Sequence, residues 1–203
     1  MPKLKFSKTE LKTQRDALKR FLRFLPTLEL KKEQLLLEIR KVELRLDEKL
    51  HAEQTVRARV RPWAKLFSEP AGLESLVRLT AVETTSLNIA GVEIPVFVRA
   101  AFAVSDYDLR TTPLWVDRAV EVVKEIASLQ AERRILEEQK RLLQHELRVT
   151  SQRVNLFEKI KIPEAKNNIR RIQIYLGDQQ TSAVARGKIA KAKLADVEQP
   201  EYA

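Results

Sequence analysis

The chain of 203 residues contains no cysteine. That removes a disulfide framework, a thiolate zinc site and a cysteine nucleophile, and it fits a reducing compartment. Glycine is scarce too, with four in the whole chain, so tight turns and phosphate-cradling loops have little to be built from. The pair Gly187-Lys188 lacks both the earlier glycine and the following Ser or Thr that a phosphate loop requires. There are two histidines, His51 and His145; neither has a second histidine or a carboxylate cluster at metal-ligand spacing, so neither metal nor cofactor is expected. Long hydrophobic runs are missing. Met1–Lys12 has no apolar stretch of signal-peptide length, and Ile94–Val104 is short and broken by Arg99, so no membrane span is expected and the chain is expected in the cytoplasm. Carboxylates such as Glu137 and Glu138 alternate with Arg133, Arg134, Lys140 and Arg141 in the pattern of a solvated helix face. An enzyme active site is not expected.

What is abundant is Leu, Glu, Lys and Arg, with 44% hydrophobic and 33% charged residues. With few turn formers, this favours long helices and an elongated coiled coil. Leu4, Leu11, Leu18, Leu25, Ile39 and Leu46 share one heptad position, with Lys32 as its polar exception, and Leu28, Leu35 and Val42 form the row three residues on. Leu22, Leu36 and Leu50 widen the stripe beyond a two-stranded contact. A second stripe runs from Pro113 to about Leu176: Leu129, Leu136, Leu143 and Phe157 in one row, Ile135, Leu142, Val149 and Leu156 in the row beside it. Pro26 predicts a kink or short break near Phe24 and Leu25, and Pro163 interrupts the second stripe by removing a donor and crowding the Lys159 carbonyl.

Between the stripes, Pro62, Pro70, Gly72, Gly91, Pro95 and Pro113 punctuate a different kind of segment. Leu73–Leu79 reads as a short helix. Ser86–Val104, rich in Val, Ile and Phe around an Ala-Gly step, reads as a hairpin or two short strands, with Pro95 demoting the second to an edge. The expected fold is therefore mainly α, with an antiparallel two-helix coiled coil formed by the N- and C-terminal segments. Its expected divisions are 1–60 for the first helix, 61–112 for a small central lobe with a short helix and hairpin, 113–195 for the second helix and 196–203 for a tail. If the helices meet at the lobe, opposed residues have numbers that sum to about 175, given equal rise in both helices. That sets Asn155 opposite about Arg20 and Ile172 opposite about Lys3, and leaves Gly177–Leu194 without an intrachain partner.

The net charge of +10 is concentrated at the two ends. Met1–Phe24 carries Lys3, Lys5, Lys8, Lys12, Arg15, Lys19, Arg20 and Arg23 against Glu10 and Asp16; Lys166–Leu194 carries Lys166, Arg170, Arg171, Arg186, Lys188, Lys191 and Lys193 against Asp178. The antiparallel register brings these to a shared basic tip. A basic coiled coil that binds nucleic acid, or a scaffold that holds two partners apart, is the alternative such a charge allows. The nucleic-acid reading is weakened because no aromatic platforms are interleaved with the cations.

One phrase carries more. RVNLFEKIKIPEAKNNIRRI, Arg153–Ile172, closely resembles the C-terminal helix of the D subunit of the V-type and A-type rotary ATPases, through Arg153, Val154, Asn155, Glu158, Ile162, Pro163, Ile169 and Ile172. LELKKEQLLLEI, Leu28–Ile39, and AGVEIPVF, Ala90–Phe97, resemble the same family in the same order. The tail GDQQTSAVARGKIAKAKL is closer to bacterial members than to eukaryotic ones. The resemblance implies a central rotor shaft, peripheral to the membrane, that couples ATP hydrolysis or synthesis to ion transport and has no catalytic role of its own. Its implied partners are the catalytic and nucleotide-binding subunits of a hexamer around the coiled coil, the F subunit on the lower flank, and a membrane-ring adaptor subunit at the foot; nucleic acid is not among them. The corresponding contact candidates for the hexamer are Lys8, Lys12, Arg15, Arg153, Asn155, Glu158, Pro163, Arg170, Arg171, Arg186 and Lys188. For the lower stalk they are Leu87, Ala90, Gly91, Val92, Ile94, Pro95 and Phe97. Pro163 has two readings: a tolerated bend, or the source of an eccentricity by which rotation opens and closes catalytic sites.

Overall fold

A computed structural model describes residues 4–69, 72–108, 110 and 112–197 of the chain. Lys3, Pro70 and residues 198–203 of the expected tail lie outside the described residues. The fold is mainly α. Helix α1 spans Lys8–Val60, followed by a 3-10 segment Arg61–Ser68, a single helical turn α2 at Leu73–Leu76, strands β1 at Val77–Ile89 and β2 at Val92–Val104, helix α3 at Trp115–Leu156, a π-helical turn Phe157–Lys161 and helix α4 at Ile162–Val197. Contacts group these into two units, Met1–Leu30 with Ser151–Ala203 and Lys31–Thr150.

In the first unit, α1 opens on the Ser-x-x-Glu pattern of a capping box: the Ser7 hydroxyl oxygen accepts the Glu10 amide at 3.1 Å. Pro26 does not break the helix, which continues through it, and the Thr27 hydroxyl donates to the Phe24 carbonyl at 2.8 Å. Pro163 is met differently. The five residues Phe157–Lys161 widen into a π turn, in which the Ile162 amide reaches back to the Phe157 carbonyl, so the proline enters at the start of α4. Val154, Ile162, Ala165 and Ile172 bury one face of the α3–α4 segment, and Phe21 meets Phe157 with ring centroids 5.2 Å apart. At the far end Phe6 packs on Tyr175 at 5.0 Å, with the Arg171 guanidinium 6.0 Å from its ring centre. The two segments therefore run antiparallel. The sum of 175 puts Ile169 opposite Phe6 and Val154 opposite Phe21, so the observed pairing is displaced by six residues at the first level and three at the second.

The second unit shows where that displacement arises. Its helices are paired by Lys31 with Glu146, Glu43 with Lys140, Lys49 with Glu132 and Arg59 with Glu125. The expectation assumed that the helices meet at Arg61 and Pro113. Instead the 3-10 segment carries the first strand of the pair on past Val60, so that Phe67 meets Trp115 edge-on at 5.7 Å and the Trp115 indole N–H donates to Glu69 at 3.0 Å. Pro62 sits in the first turn of that segment, where its missing donor is not needed.

The expected short helix at Leu73–Leu79 is shorter than the sequence suggests: only Leu73–Leu76 is helical, and Val77–Leu79 already belongs to β1. Both strands are 13 residues long and pair antiparallel from Val77 with Val104 to Ile89 with Val92, with irregularities between Leu79 and Ala81 and between Glu83 and Thr84. The turn is the Ala90-Gly91 step, with φ of 51° and 81°. Two left-handed residues make the tight connection that suits the twist of the strands, and the Asn88 side-chain oxygen accepts the Gly91 amide. The hairpin lies along the helices. Ile94, 2% exposed, joins Leu35, Ile39, Val42, Leu136 and Leu143 in one buried cluster, with Ile89, Ala90 and Val92 packed around it. Further down, Val56, Val60 and Val122 pack with Trp63 and Phe67, and Leu76, Val116 and Val120 close the base.

Candidate functional site

The hexamer candidates occupy one unit. Lys8, Lys12 and Arg15 on α1, Arg153 and Asn155 at the end of α3, Glu158 in the π turn, and Pro163, Arg170, Arg171, Arg186 and Lys188 on α4 are all exposed. Burial of the apolar face explains this arrangement, since a heptad seam that hides Val154, Ile162 and Ile172 turns the intervening cations to water. Among the described residues, no ion pair links the α1 segment of this unit to its α3–α4 segment, so its cations are not spent on carboxylates across the seam. From Gly177 to Leu194 every side chain is exposed, including Val184, Ile189 and Leu194.

The lower-stalk candidates fall on the hairpin but do not form a uniform surface. Leu87 and Gly91 are exposed, Ala90, Val92, Pro95 and Phe97 are half-buried, and Ile94 is buried in the core. Ile94 is therefore withdrawn as a contact residue: its side chain is the peg that holds the hairpin onto α1 and α3. Leu22, Leu36 and Leu50 stay exposed on α1, outside the seam they were expected to widen.

A polar node in the second unit was not among the candidates. Glu53, 5% exposed, is the acceptor for Arg57 Nε at 3.0 Å and Nη2 at 2.7 Å, Gln130 Nε2 at 3.0 Å and Arg133 Nη1 at 3.3 Å. The Gln130 hydrogen bond, then Arg57 and Arg133, hold its carboxyl below the ordinary range, and burial in so thin a seam opposes this only in part. Against the hairpin, buried Gln139 donates to the Pro95 carbonyl at 2.5 Å. A signal for Glu53 existed in the sequence: it stands seven residues after Leu46, in the core row. Buried Thr150 likewise stands seven after Leu143.

His51 and His145 are both exposed helix residues. Among the described residues no group of three His, Cys, Asp or Glu side chains could hold a metal, and no helix is long and apolar enough to cross a membrane. A groove of about 570 Å³ lies between the end of α1, the 3-10 segment and α3, and is lined by Ala58, Val60, Phe67, Val122 and Ile126 with Arg57 and Arg61 at its side.

The sequence pattern of the family of ATP synthase D subunits matches residues 10–192, the two helical segments and the hairpin together. The chain belongs to that family. It is 50% identical over 194 residues to the V-type ATP synthase D subunit of Borreliella burgdorferi, covering 96% of each chain. It is 33% identical to the V-type ATP synthase D subunit of Chlamydia caviae, over 94% of this chain and 93% of that one, and 34% identical to that of Chlamydia muridarum, over 94% and 96%. These relatives are bacterial, as the tail suggested. As a member of the D subunit family the chain is a central-stalk component of a V-type rotary ATPase and works in a complex with other ATPase subunits. The reading as a basic nucleic-acid binder or scaffold finds no support in these relationships.

Proposed function

We propose that this chain is the non-catalytic shaft that carries torque between the catalytic hexamer and the membrane rotor ring, coupling ATP hydrolysis or synthesis to ion transport while remaining peripheral to the membrane. The observation that carries the reading is the division of labour around the helical seam: apolar knobs are consumed inside, and cations are left facing water outside. A packed two-helix seam resists bending and twisting because interior side chains have little free volume. The exposed cations of Lys8–Arg23 and Lys166–Lys193 would meet changing faces of the catalytic and nucleotide-binding subunits through many screened contacts, each worth less than about 1 kcal/mol, so that no rotary position becomes a trap. The helices of the Lys31–Thr150 unit and its hairpin would serve the F subunit and the membrane-ring adaptor.

Reversing Lys12, Arg15, Arg170 and Arg171 together to Glu should weaken capture of the hexamer at low salt by at least about tenfold, a modest sum for four surface charges. Capture equal to that of the unaltered chain would count against the electrostatic contact.

A further inference from the structure

The apolar rows of α1 and α3 dictate that the two helices pair, but not at which level. Ile39, Leu46 and Val60 stand at heptad steps on α1, and Val122, Leu129, Leu136 and Leu143 do so on α3. A slide of one heptad therefore sets apolar side chains against apolar side chains again. The ion pairs that flank the seam resist such a slide in one direction. If each α1 residue met an α3 residue seven later in the chain, Glu43 would face Leu147 and Lys49 would face Gln139. In the opposite direction Glu43 exchanges Lys140 for Arg133 and Lys49 exchanges Glu132 for Glu125, so both attractions survive. Lys31 would then face Gln139 and Arg59 would face Arg118, but pairs as exposed as these are worth little.

Glu53 blocks that second slide. It interrupts the row of Ile39, Leu46 and Val60, is 5% exposed, and draws donors from both helices: Arg57 on α1, Gln130 and Arg133 on α3. Seven residues before Gln130 and Arg133 stand Val123 and Ile126. The slide would move a buried carboxylate from two donors to two apolar side chains, leaving Arg57 as its partner, and would bring Gln130 to the level of Leu46. Stripping partners from a buried charge costs far more than losing an exposed ion pair. Nor is the node arranged for greatest stability. Arg133 Nη1 stands 3.3 Å from Glu53, and the buried Nε of Arg133 has no hydrogen-bond acceptor, with Glu137 at 3.5 Å. A polar group inside a helical seam can fix register at a cost in stability.

We propose that the node of Glu53, Gln130 and Arg133 is a register lock, which holds α1 and α3 at one axial level when load passes along the pair. Glu53 is its positioning residue. The part played under load rests on the chain acting as a shaft; the lock itself does not.

Because the chain has no cysteine, spin labels can be placed on Asp47→Cys and Gln144→Cys, two exposed positions set apart along the axis, and the distance between them read by pulsed electron resonance in the full chain. The labelled chain without further change should give one distance. Glu53→Leu combined with Gln130→Leu makes the slipped interface apolar, and should add a longer distance, from an axial shift of about 10 Å, in about a tenth of the molecules or more. Glu53→Gln, which still offers an acceptor, should keep the single distance. One distance in the double variant, or a second distance equally populated in Glu53→Gln, would overturn the lock. If the double variant does not fold, Glu53→Leu alone carries the same comparison. In the assembled complex the double variant should still hydrolyse ATP but move fewer ions per ATP, by about twofold or more, because load biases the two registers further; a general loss of structure would lower both together. Unchanged coupling would overturn the role under load. Should the unaltered chain contribute no coupling while the slipped distance is present in the double variant, the shaft reading would fall and the lock would stand.

Discussion

Five ion pairs cross between α1 and α3 in the Lys31–Thr150 unit, and a hairpin covers their seam through Ile94. In the unit of Met1–Leu30 with Ser151–Ala203 the seam is narrower: Val154, Ile162, Ala165 and Ile172 are buried, aromatic pairs mark two levels, and among the described residues no ion pair crosses. One chain thus uses its charges in two ways. Where carboxylates and cations alternate across the seam, the charge is neutralised internally and the helices are fixed in register. Where cations dominate both segments, the seam must hold by apolar contact, and the charge stays available to other molecules. The difference separates a part built to keep its shape from a part built to meet changing surfaces.

The largest effect expected from this contrast lies in the cores. Leu143 and Ile172 are both fully buried, at 0% exposure, one beneath the hairpin and one in a bare two-helix seam. Leu143→Ala should cost about 2–5 kcal/mol, toward the upper end because three elements hold the cavity open, and Ile172→Ala should cost less because two helices can close on the gap. Unfolding in denaturant of the two full-length variants would measure the difference, and equal losses would erase the structural distinction between the units.

Next in size is the polar node. Glu53→Ala leaves Arg133 and Gln130 without their shared acceptor and should lower stability by about 1–3 kcal/mol. The partial exposure of Arg57 and Arg133, at 57% and 34%, keeps the figure below that of a fully enclosed pair. The same change should speed hydrogen exchange in α1 and α3 near residues 49–57 and 126–137 while leaving 154–172 as it was. A uniform increase along the chain would mean that the node does not act locally.

The heptad rows made the helices legible, and with them the core: Leu35, Ile39, Val42, Leu136 and Leu143 are buried where the periodicity puts them. The strands were half legible. Ser86–Val104 announced itself by β-branched residues around Ala90-Gly91, but Val77–Thr85 did not, because a strand exposed on both faces has no alternation to read. The displaced register escaped for a similar reason: the 3-10 segment is too short and too aromatic to show a period, yet it lengthens one side of the pair. Pro26 and Pro163 look alike in sequence, and nothing local says that one is absorbed in an unbroken α-helix and the other is preceded by a π turn. The basic candidate residues were legible as surface because they interrupt the stripe. Ile94 was not legible as core, because its burial depends on helices more than forty residues away in sequence. Glu53 was legible but passed over, since a single carboxylate in a leucine row reads as an exception until its partners are seen.

The smallest effect is a pH dependence confined to the node. The Glu53 carboxyl is held below its ordinary value by Gln130, Arg57 and Arg133, the groups that face it from α1 and α3. For a carboxyl depressed in the folded state, the unfolded chain binds the proton first as pH falls. The stabilisation is therefore complete above the unfolded value of about 4.3 and is lost as pH drops below it through the lower folded value. Acid should therefore loosen the Lys31–Thr150 unit at this node. In Glu53→Gln the amide still accepts a hydrogen bond but no longer titrates. The gap in Tm between it and the unaltered chain should be greatest near neutrality and narrow below about pH 4, where the native carboxylate is also becoming neutral. Glu83 and Glu138, likewise held low by Arg99 and Arg141, are present in both proteins and cancel from the difference. A gap that stays constant from pH 7 to pH 3 would show that the carboxylate's charge contributes nothing beyond its shape, and the contrast between the two units would then rest on packing alone.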